Sequence, residues 1–313
     1  MVGRIVEVAD DNRHLFLSRG FLVVRQSDPP QKELGQVPLD DIAAVIANAY
    51  GLSYTNNLLV ALVERAAPFV LCAANHNAVG MLIPIEGNYQ QAKRFDAQIM
   101  ANKPTNKRLW ADIVRAKLLQ QAATLEATGA PTAPLSALAA KVRSGDPQNI
   151  EAQGARRYWS LLFGEDFRRD RQAGGVNAML NYGYTVLRAT TARAVVAAGL
   201  HPTISLFHSN EGNAMRLVDD LMEPFRPLID LRVWQLERSA QRDVTPDVKR
   251  ALVRVMYDDM QGVMGATPVM NCIASLATSL AQIYLGERQK LELPYPSLPI
   301  ELAALAAQDK KPE

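Results

Sequence analysis

Cysteine is nearly missing from this sequence, with two in 313 residues, Cys72 and Cys272, far apart along the chain. A disulfide-stapled secreted fold is excluded, and the pair reads as buried thiols in a reducing compartment. Long apolar runs are missing too. Arg, Asn or Gln interrupts the most hydrophobic stretches well short of the ~20 residues that span a bilayer, so no membrane partner is expected. The opening residues, Met1-Val2-Gly3-Arg4-Ile5, lack the apolar core of a secretory leader, which makes a cytoplasmic location the expectation. Charge of one sign is not in excess: 34 Lys+Arg against 32 Asp+Glu give a net +2. That excludes a protein that coats DNA by bulk charge, but leaves room for a local basic patch. Glycine and proline, 18 each, are too few for a collagen-like or low-complexity chain. No Gly-rich phosphate loop, Gly-x-Ser-x-Gly elbow or Cys-rich zinc pattern occurs.

What is present is the composition of a folded protein, 48% hydrophobic and 21% charged. At roughly 150 residues per domain the length allows about two domains. Residues 1–86 read as β-rich. Short runs of Val, Ile, Leu and Phe at Arg4–Ala9, His14–Ser18 and Phe21–Gln26 are separated by Asp10-Asp11-Asn12 and Arg19-Gly20. Gln36–Pro38 and Asp41–Ala47 continue the pattern. Ser53 is expected to cap one helix running to about Ala66, and Phe69–Ala73 and Met81–Pro84 read as further strands. Gly87-Asn88 marks a joint, and residues 87–105 form a linker with a first helix. Residues 106–305 are helical in period, and 306–313 form a polar tail. Helices are expected over about Asn106–Ala127, from Asp146-Pro147 to about Phe163, over Val176–Ala198, and near Asn213, Pro227, Thr245-Pro246 and Thr267-Pro268. The fold class is therefore α+β: a small N-terminal β-rich domain followed by a larger all-α catalytic domain.

Three places carry candidate chemistry. Glu151 extends the face formed by Ala155, Tyr158 and Leu162; its plain alternative is a half-exposed carboxylate favoured by the helix dipole. Asp220 and Glu223 share a face at i, i+3, with a solvated acidic face and an Arg216–Asp220 pair as the alternative. Pro224 ends or kinks that helix and leaves Glu223 at a C-terminus, where the dipole disfavours negative charge and a cation is called for. His208, in Leu206-Phe207-His208-Ser209-Asn210, is one of four histidines; its alternative is an exposed loop side chain. Together Glu151, His208 and Glu223 offer two oxygens and an imidazole, a set suited to Mg2+ or Mn2+. The helix ending at Glu223 is about 15 Å long, so the loop Phe207–Gly212 must fold back along it to bring His208 to the acids.

Arginines cluster nearby. Arg156, Arg157, Arg168, Arg169 and Arg171 are candidate phosphate contacts, with ordinary surface charge as the alternative. Asn177, Asn181, Tyr184 and Arg188 form a one-sided polar stripe at i, i+4, i+7, i+11, which reads as either a lined groove or a buried network. Asn177, Tyr184 and Arg188 are counted among the DNA-binding candidates.

Four blocks in order carry a resemblance: Glu151-Ala-Gln-Gly-Ala-Arg-Arg-Tyr-Trp159, Val176-Asn-Ala-Met-Leu-Asn-Tyr-Gly-Tyr184, Gly199-Leu-His-Pro202 leading to His208, and Asp219-Asp-Leu-Met-Glu-Pro-Phe-Arg-Pro227. The sequence resembles the universal CRISPR-associated integrase–endonuclease family, and the last block is most similar to its type II branch. The resemblance implies a metal site of Glu151, His208 and Glu223 with Asp220 in support. It also implies a homodimer, a companion in the second universal CRISPR-associated protein, and insertion of a short DNA fragment (a spacer) into the repeat of a CRISPR array by 3′-hydroxyl attack. His208 would be a ligand or would protonate the leaving oxygen. Ser205 stands where family members often carry Gly, and Glu223 replaces the more usual Asp. A non-catalytic DNA-binding scaffold and an unrelated metal-dependent phosphohydrolase are the competing readings.

Overall fold

The computed structural model describes residues 3–76, 78–263 and 265–298. The expected polar tail, and the domain end placed at residue 305, lie outside the described residues.

Strand β5 (Ile42–Ala47, Ile-Ala-Ala-Val-Ile-Ala) is buried at every position, as a continuous apolar run covered on both faces must be. It is central in a four-stranded sheet ordered β1-β5-β7-β8, with β1 (Arg4–Val8), β7 (Phe69–Cys72) and β8 (Ala78–Leu82). β5 pairs in parallel with β1 and β7, while β8 runs antiparallel to β7. A second sheet is ordered β4-β3-β2-β6, from β2 (Arg13–Ser18), β3 (Phe21–Gln26), β4 (Glu33–Pro38) and β6 (Leu52–Tyr54). Helix α1 (Asn56–Glu64) contributes Leu58 and Leu62 to the small core shared with Leu15, Leu22, Ile42, Val45 and Phe69. The helix expected to start after Ser53 begins later, because Leu52–Tyr54 pairs with β2 and Thr55 is the residue before the first turn.

The helical part comprises α2 (Gln91–Ile99), α3 (Lys103–Thr128), α4 (Ala133–Ala139), α5 (Ile150–Phe163) and α6 (Val176–Ala197). It continues with α7 (Arg216–Met222), α8 (Arg226–Arg238), α9 (Pro246–Arg254) and α10 (Val269–Tyr284). One core runs through them and includes Trp110, Tyr158, Tyr182, Phe225 and Leu280. The expectation of an all-helical second part needs one amendment. β9 (Asp259–Gly262) and β10 (Gly265–Pro268) form a hairpin between α9 and α10, in a stretch too short for a periodic signal.

The β-rich part is fastened to the helical part. Ala189 of α6 packs against Ala44 and Val70. Lys249 pairs with Glu7 at 2.9 Å, and the Tyr257 hydroxyl accepts from the Ile5 amide at 2.6 Å. Two close helix approaches depend on glycine. A Cβ at Gly183 would stand 2.4 Å from Ile229 Cγ2, and one at Gly154 would stand 2.2 Å from Leu118 Cδ2. The second approach brings α5, which carries Glu151, against α3. No helix among the described residues is long and apolar enough to cross a membrane.

Candidate active site

Glu151 stands in the first turn of α5. The helix was expected to start at Asp146-Pro147, but it starts at Ile150. Asn149, in left-handed conformation, is its N-cap and accepts from the Ala152 amide. Asp146 nevertheless caps it from outside, accepting from the amides of Ile150 at 2.8 Å and Glu151 at 2.9 Å. The first-turn donors are thereby satisfied without the Glu151 side chain, which is free to reach elsewhere.

It reaches Lys117 of α3. The Lys117 ammonium pairs with Glu151 Oε1 and lies 2.6 Å from Glu223 Oε2. The two carboxylates therefore face each other across one nitrogen. Glu223 follows α7 directly and opens a single 3-10 turn, Glu223–Phe225, that Pro224 forces before α8 begins. Its Oε1 pairs with Arg226 at 2.9 Å. The Lys117 ammonium is thus the cation that meets the buried Glu223 Oε2. Burial pushes the Glu223 carboxyl up, but Arg226 and Lys117 outweigh it and bring it down to about 2. Burial likewise opposes the charge on Lys117, and Glu223 and Glu151 overcome it and raise its pKa.

The loop that carries His208 folds back onto α7, as the spacing demanded, and meets Asp220 there. Asp220 of α7, fully buried, accepts from the amides of Leu206 at 2.7 Å, Phe207 at 3.2 Å and His208 at 3.4 Å. The Arg216–Asp220 pair of the alternative reading does not form. Arg216 donates instead to the Thr203 carbonyl at 3.0 Å, because Asp220 points inward at the loop. Asp220 Oδ1 also lies 2.5 Å from His208 Nδ1. This hydrogen bond, with the charges of Asp220, Glu223 and Asp219, outweighs burial and raises the His208 pKa. It also fixes the ring and leaves Nε2 as the atom on offer. Ser205, at the position where the resembled family often has Gly, donates from its hydroxyl to the His208 carbonyl at 2.5 Å. Phe207 stacks on buried Trp110 of α3 with centroids 4.6 Å apart, and the His208 ring stands edge-on to the same Trp110.

Among the described residues no three His, Cys, Asp or Glu side chains converge closely enough to grip an ion as they stand. The ammonium of Lys117 fills the gap between the acids. The donor set still suits a hard divalent cation: two carboxylates that share one cation, and an imidazole oriented by a further carboxylate, Asp220. A cation already rests where such an ion would bridge. Lys117 was missed in the sequence. The available signal was its place on the face of Trp110 and Thr124, all three buried, where a lysine must find an anion.

Residues 6–250 match the family described as CRISPR associated protein Cas1. This chain belongs to the Cas1 family. It is 39% identical over 247 residues to the CRISPR-associated endonuclease Cas1 of Neisseria meningitidis serogroup C, covering 78% of this chain and 80% of that one. The Neisseria likeness accords with the type II branch. Two solved structures share the fold. One is a casposase bound to integration product, at a TM-score of 0.79 and 18% identity, covering 98% of this chain and 99% of that one. The other is a chain of a Cas6-RT-Cas1–Cas2 complex, at 0.75 and 17%, covering 95% of this chain and 36% of that one.

Within this Cas1 fold the polar stripe on α6 is a buried network. Asn177 accepts from Arg169 at 3.0 Å and from the Asp170 amide at 3.0 Å, and donates to the Arg168 carbonyl. Asn181 accepts from Arg169 at 2.6 Å and donates to the Arg171 carbonyl. Tyr184 donates to Asp230 and lies under the Arg226 guanidinium at 4.8 Å. Arg188 pairs with Asp219 at 2.8 Å. Of the DNA-binding candidates, Asn177, Tyr184, Arg188 and Arg169 thus have partners within the protein, in the 165–175 loop, α7 and α8. Arg156, Arg157, Arg168 and Arg171 are exposed.

Proposed function

We propose that the chain is a divalent-metal-dependent DNA integrase and endonuclease that inserts spacer fragments into a CRISPR repeat. The observation that carries this reading is the meeting of Glu151 and Glu223 at one cation position beside an imidazole locked by Asp220, in a member of the Cas1 family. Oxygens of Glu151 and Glu223 with His208 Nε2 would hold the ion. Mg2+ or Mn2+ bound there supplies charge to polarise the scissile phosphodiester and offset the negative charge that develops on it. The 3′-hydroxyl oxygen of the fragment attacks phosphorus, and the target strand leaves with its own 3′-hydroxyl. One phosphodiester is exchanged for another and no external energy source is needed. Water in place of the hydroxyl gives endonuclease activity. Asp220 keeps His208 in the tautomer that presents Nε2, and Arg226 keeps Glu223 ionised.

The exposed Arg156, Arg157, Arg168 and Arg171 would lie along the DNA backbone, so binding weakens as salt rises. The occurrence of this fold in a Cas1–DNA complex and in a Cas6-RT-Cas1–Cas2 complex supports DNA and the second universal CRISPR-associated protein as partners. A homodimer is the assembly the resemblance implies.

The test is Glu223→Gln, assayed by joining a short duplex to a plasmid in Mn2+. Joining is expected to fall on the order of a hundredfold or more, as when a principal transition-state contact is removed. Undiminished joining by this variant, or equal joining by the unaltered protein in chelator, overturns the metal role.

A further inference from the structure

The cation between Glu151 and Glu223 belongs to the protein, and its placement has a consequence for how a metal could enter. Lys117 Nζ touches Glu151 Oε1 and stands 2.6 Å from Glu223 Oε2. An ion shared by those oxygens would need to stand at about 2.0–2.1 Å from each, which is the space the ammonium occupies. Both cannot be there together.

The two basic partners of Glu223 are also unequal. Arg226 holds Oε1 from the next turn of the chain, and its guanidinium is itself pinned over the Tyr184 ring. Lys117 holds Oε2 from the end of a flexible four-carbon stem on a neighbouring helix. Release of Lys117 frees one buried oxygen of Glu223 and one of Glu151 together, while Arg226 keeps Glu223 in place. Charge argues the same way. Glu151 and Glu223 are already balanced by Lys117 and Arg226, so a divalent ion added to the intact set would overload a buried site with positive charge.

We propose that Lys117 is a resident counter-cation of the site: it holds Glu151 and Glu223 in register before metal arrives, and the ion binds by displacing its ammonium. Lys117 is in this sense a positioning residue, and the inference rests on the metal reading proposed above.

The experiment is direct titration of Mn2+ into the full chain at fixed pH, following free Mn2+ by electron paramagnetic resonance. The proteins are the unaltered chain, Lys117→Met, Lys117→Arg and Glu223→Gln. Lys117→Met removes the competitor while keeping the stem, and is expected to bind Mn2+ about tenfold tighter or more, since a ligand that must displace nothing gains that free energy. Lys117→Arg replaces a single ammonium by a guanidinium that forks onto both carboxylates, and is expected to bind more weakly than the unaltered chain. Equal or weaker binding by Lys117→Met overturns the displacement while leaving the metal reading intact, provided the unaltered chain binds and Glu223→Gln does not. Mn2+ binding by neither the unaltered chain nor Lys117→Met overturns the metal reading itself. Should Lys117→Met fail to fold, Lys117→Arg decides alone, and equal or tighter binding by it ends the proposal.

Discussion

Two buried carboxylates two helical turns apart behave in opposite ways. Glu223, in the 3-10 turn before α8, is brought down to about 2, whereas Asp230, within α8, is pushed up to about 7. Both are almost fully shielded from water, so burial alone cannot separate them. Their partners do. Glu223 is gripped by two cations, Arg226 and Lys117. Asp230 has a phenol for its nearest partner, the Tyr184 hydroxyl, and a hydrogen bond from a neutral donor does not offset the cost of burying its charge. Arg226 stands between them, paired with one acid and stacked on the tyrosine that serves the other. One region of the core is thus held charged and ready for electrostatic work, while its neighbour is held near neutrality as packing.

Breaking the charged side should have the largest effect. Arg226→Met leaves Glu223 buried with Lys117 alone, and is expected to cost about 3–5 kcal/mol at neutral pH in urea unfolding. The pH profile carries the sign. A carboxyl lowered in the folded state contributes stability above its unfolded value of 4.5, lost as pH falls toward about 2. Arg226→Met should flatten that acid limb.

The neutral side predicts the reverse. Asp230, raised from an ordinary 3.8, holds a proton in the folded state that the unfolded chain has released, so stability declines as pH rises from about 4 to about 7. Asp230→Asn removes this decline and keeps an acceptor for Tyr184. It is expected to exceed the unaltered protein at pH 8 by about 2–4 kcal/mol, at roughly 1.4 kcal/mol per unit of displacement. No gain at pH 8 would place the proton elsewhere. The smallest effect sharpens the contrast: Tyr184→Phe withdraws the donor, and should cost about 1–2 kcal/mol at pH 8 and less at pH 5, where Asp230 carries its own proton.

How much of this could be read from the chain follows from what leaves a local mark. Pro224 after Glu223 announced a helix end and a carboxylate in want of a cation, and the folded protein supplies Arg226 and Lys117. Buried β5 declares itself as a continuous apolar run, α5 through its one-sided apolar face, and α6 through a long apolar stretch with a polar stripe. The fold-back of Phe207–Gly212 was required by distance, but its agent, Asp220 accepting three amides, is a long-range arrangement with no sequence signature. Lys117 lies more than thirty positions from either acid, so pairing logic within one helix could not find it. The stripe from Asn177 to Arg188 was open between groove and network, and only tertiary packing decides that choice. The hairpin Asp259–Pro268 is too short to show a strand period beside its helical neighbours.

Trp110 and Lys117 occupy the same edge of α3, two turns and so about 10 Å apart. One supports the aromatic step beneath the histidine loop, and the other the meeting point of the acids. A single unbroken helix therefore acts as the ruler for the candidate site, whose dimensions are inherited from helical pitch and not from the loops around it. Sequence drift in those loops can proceed without altering the spacing that α3 sets between Trp110 and Lys117.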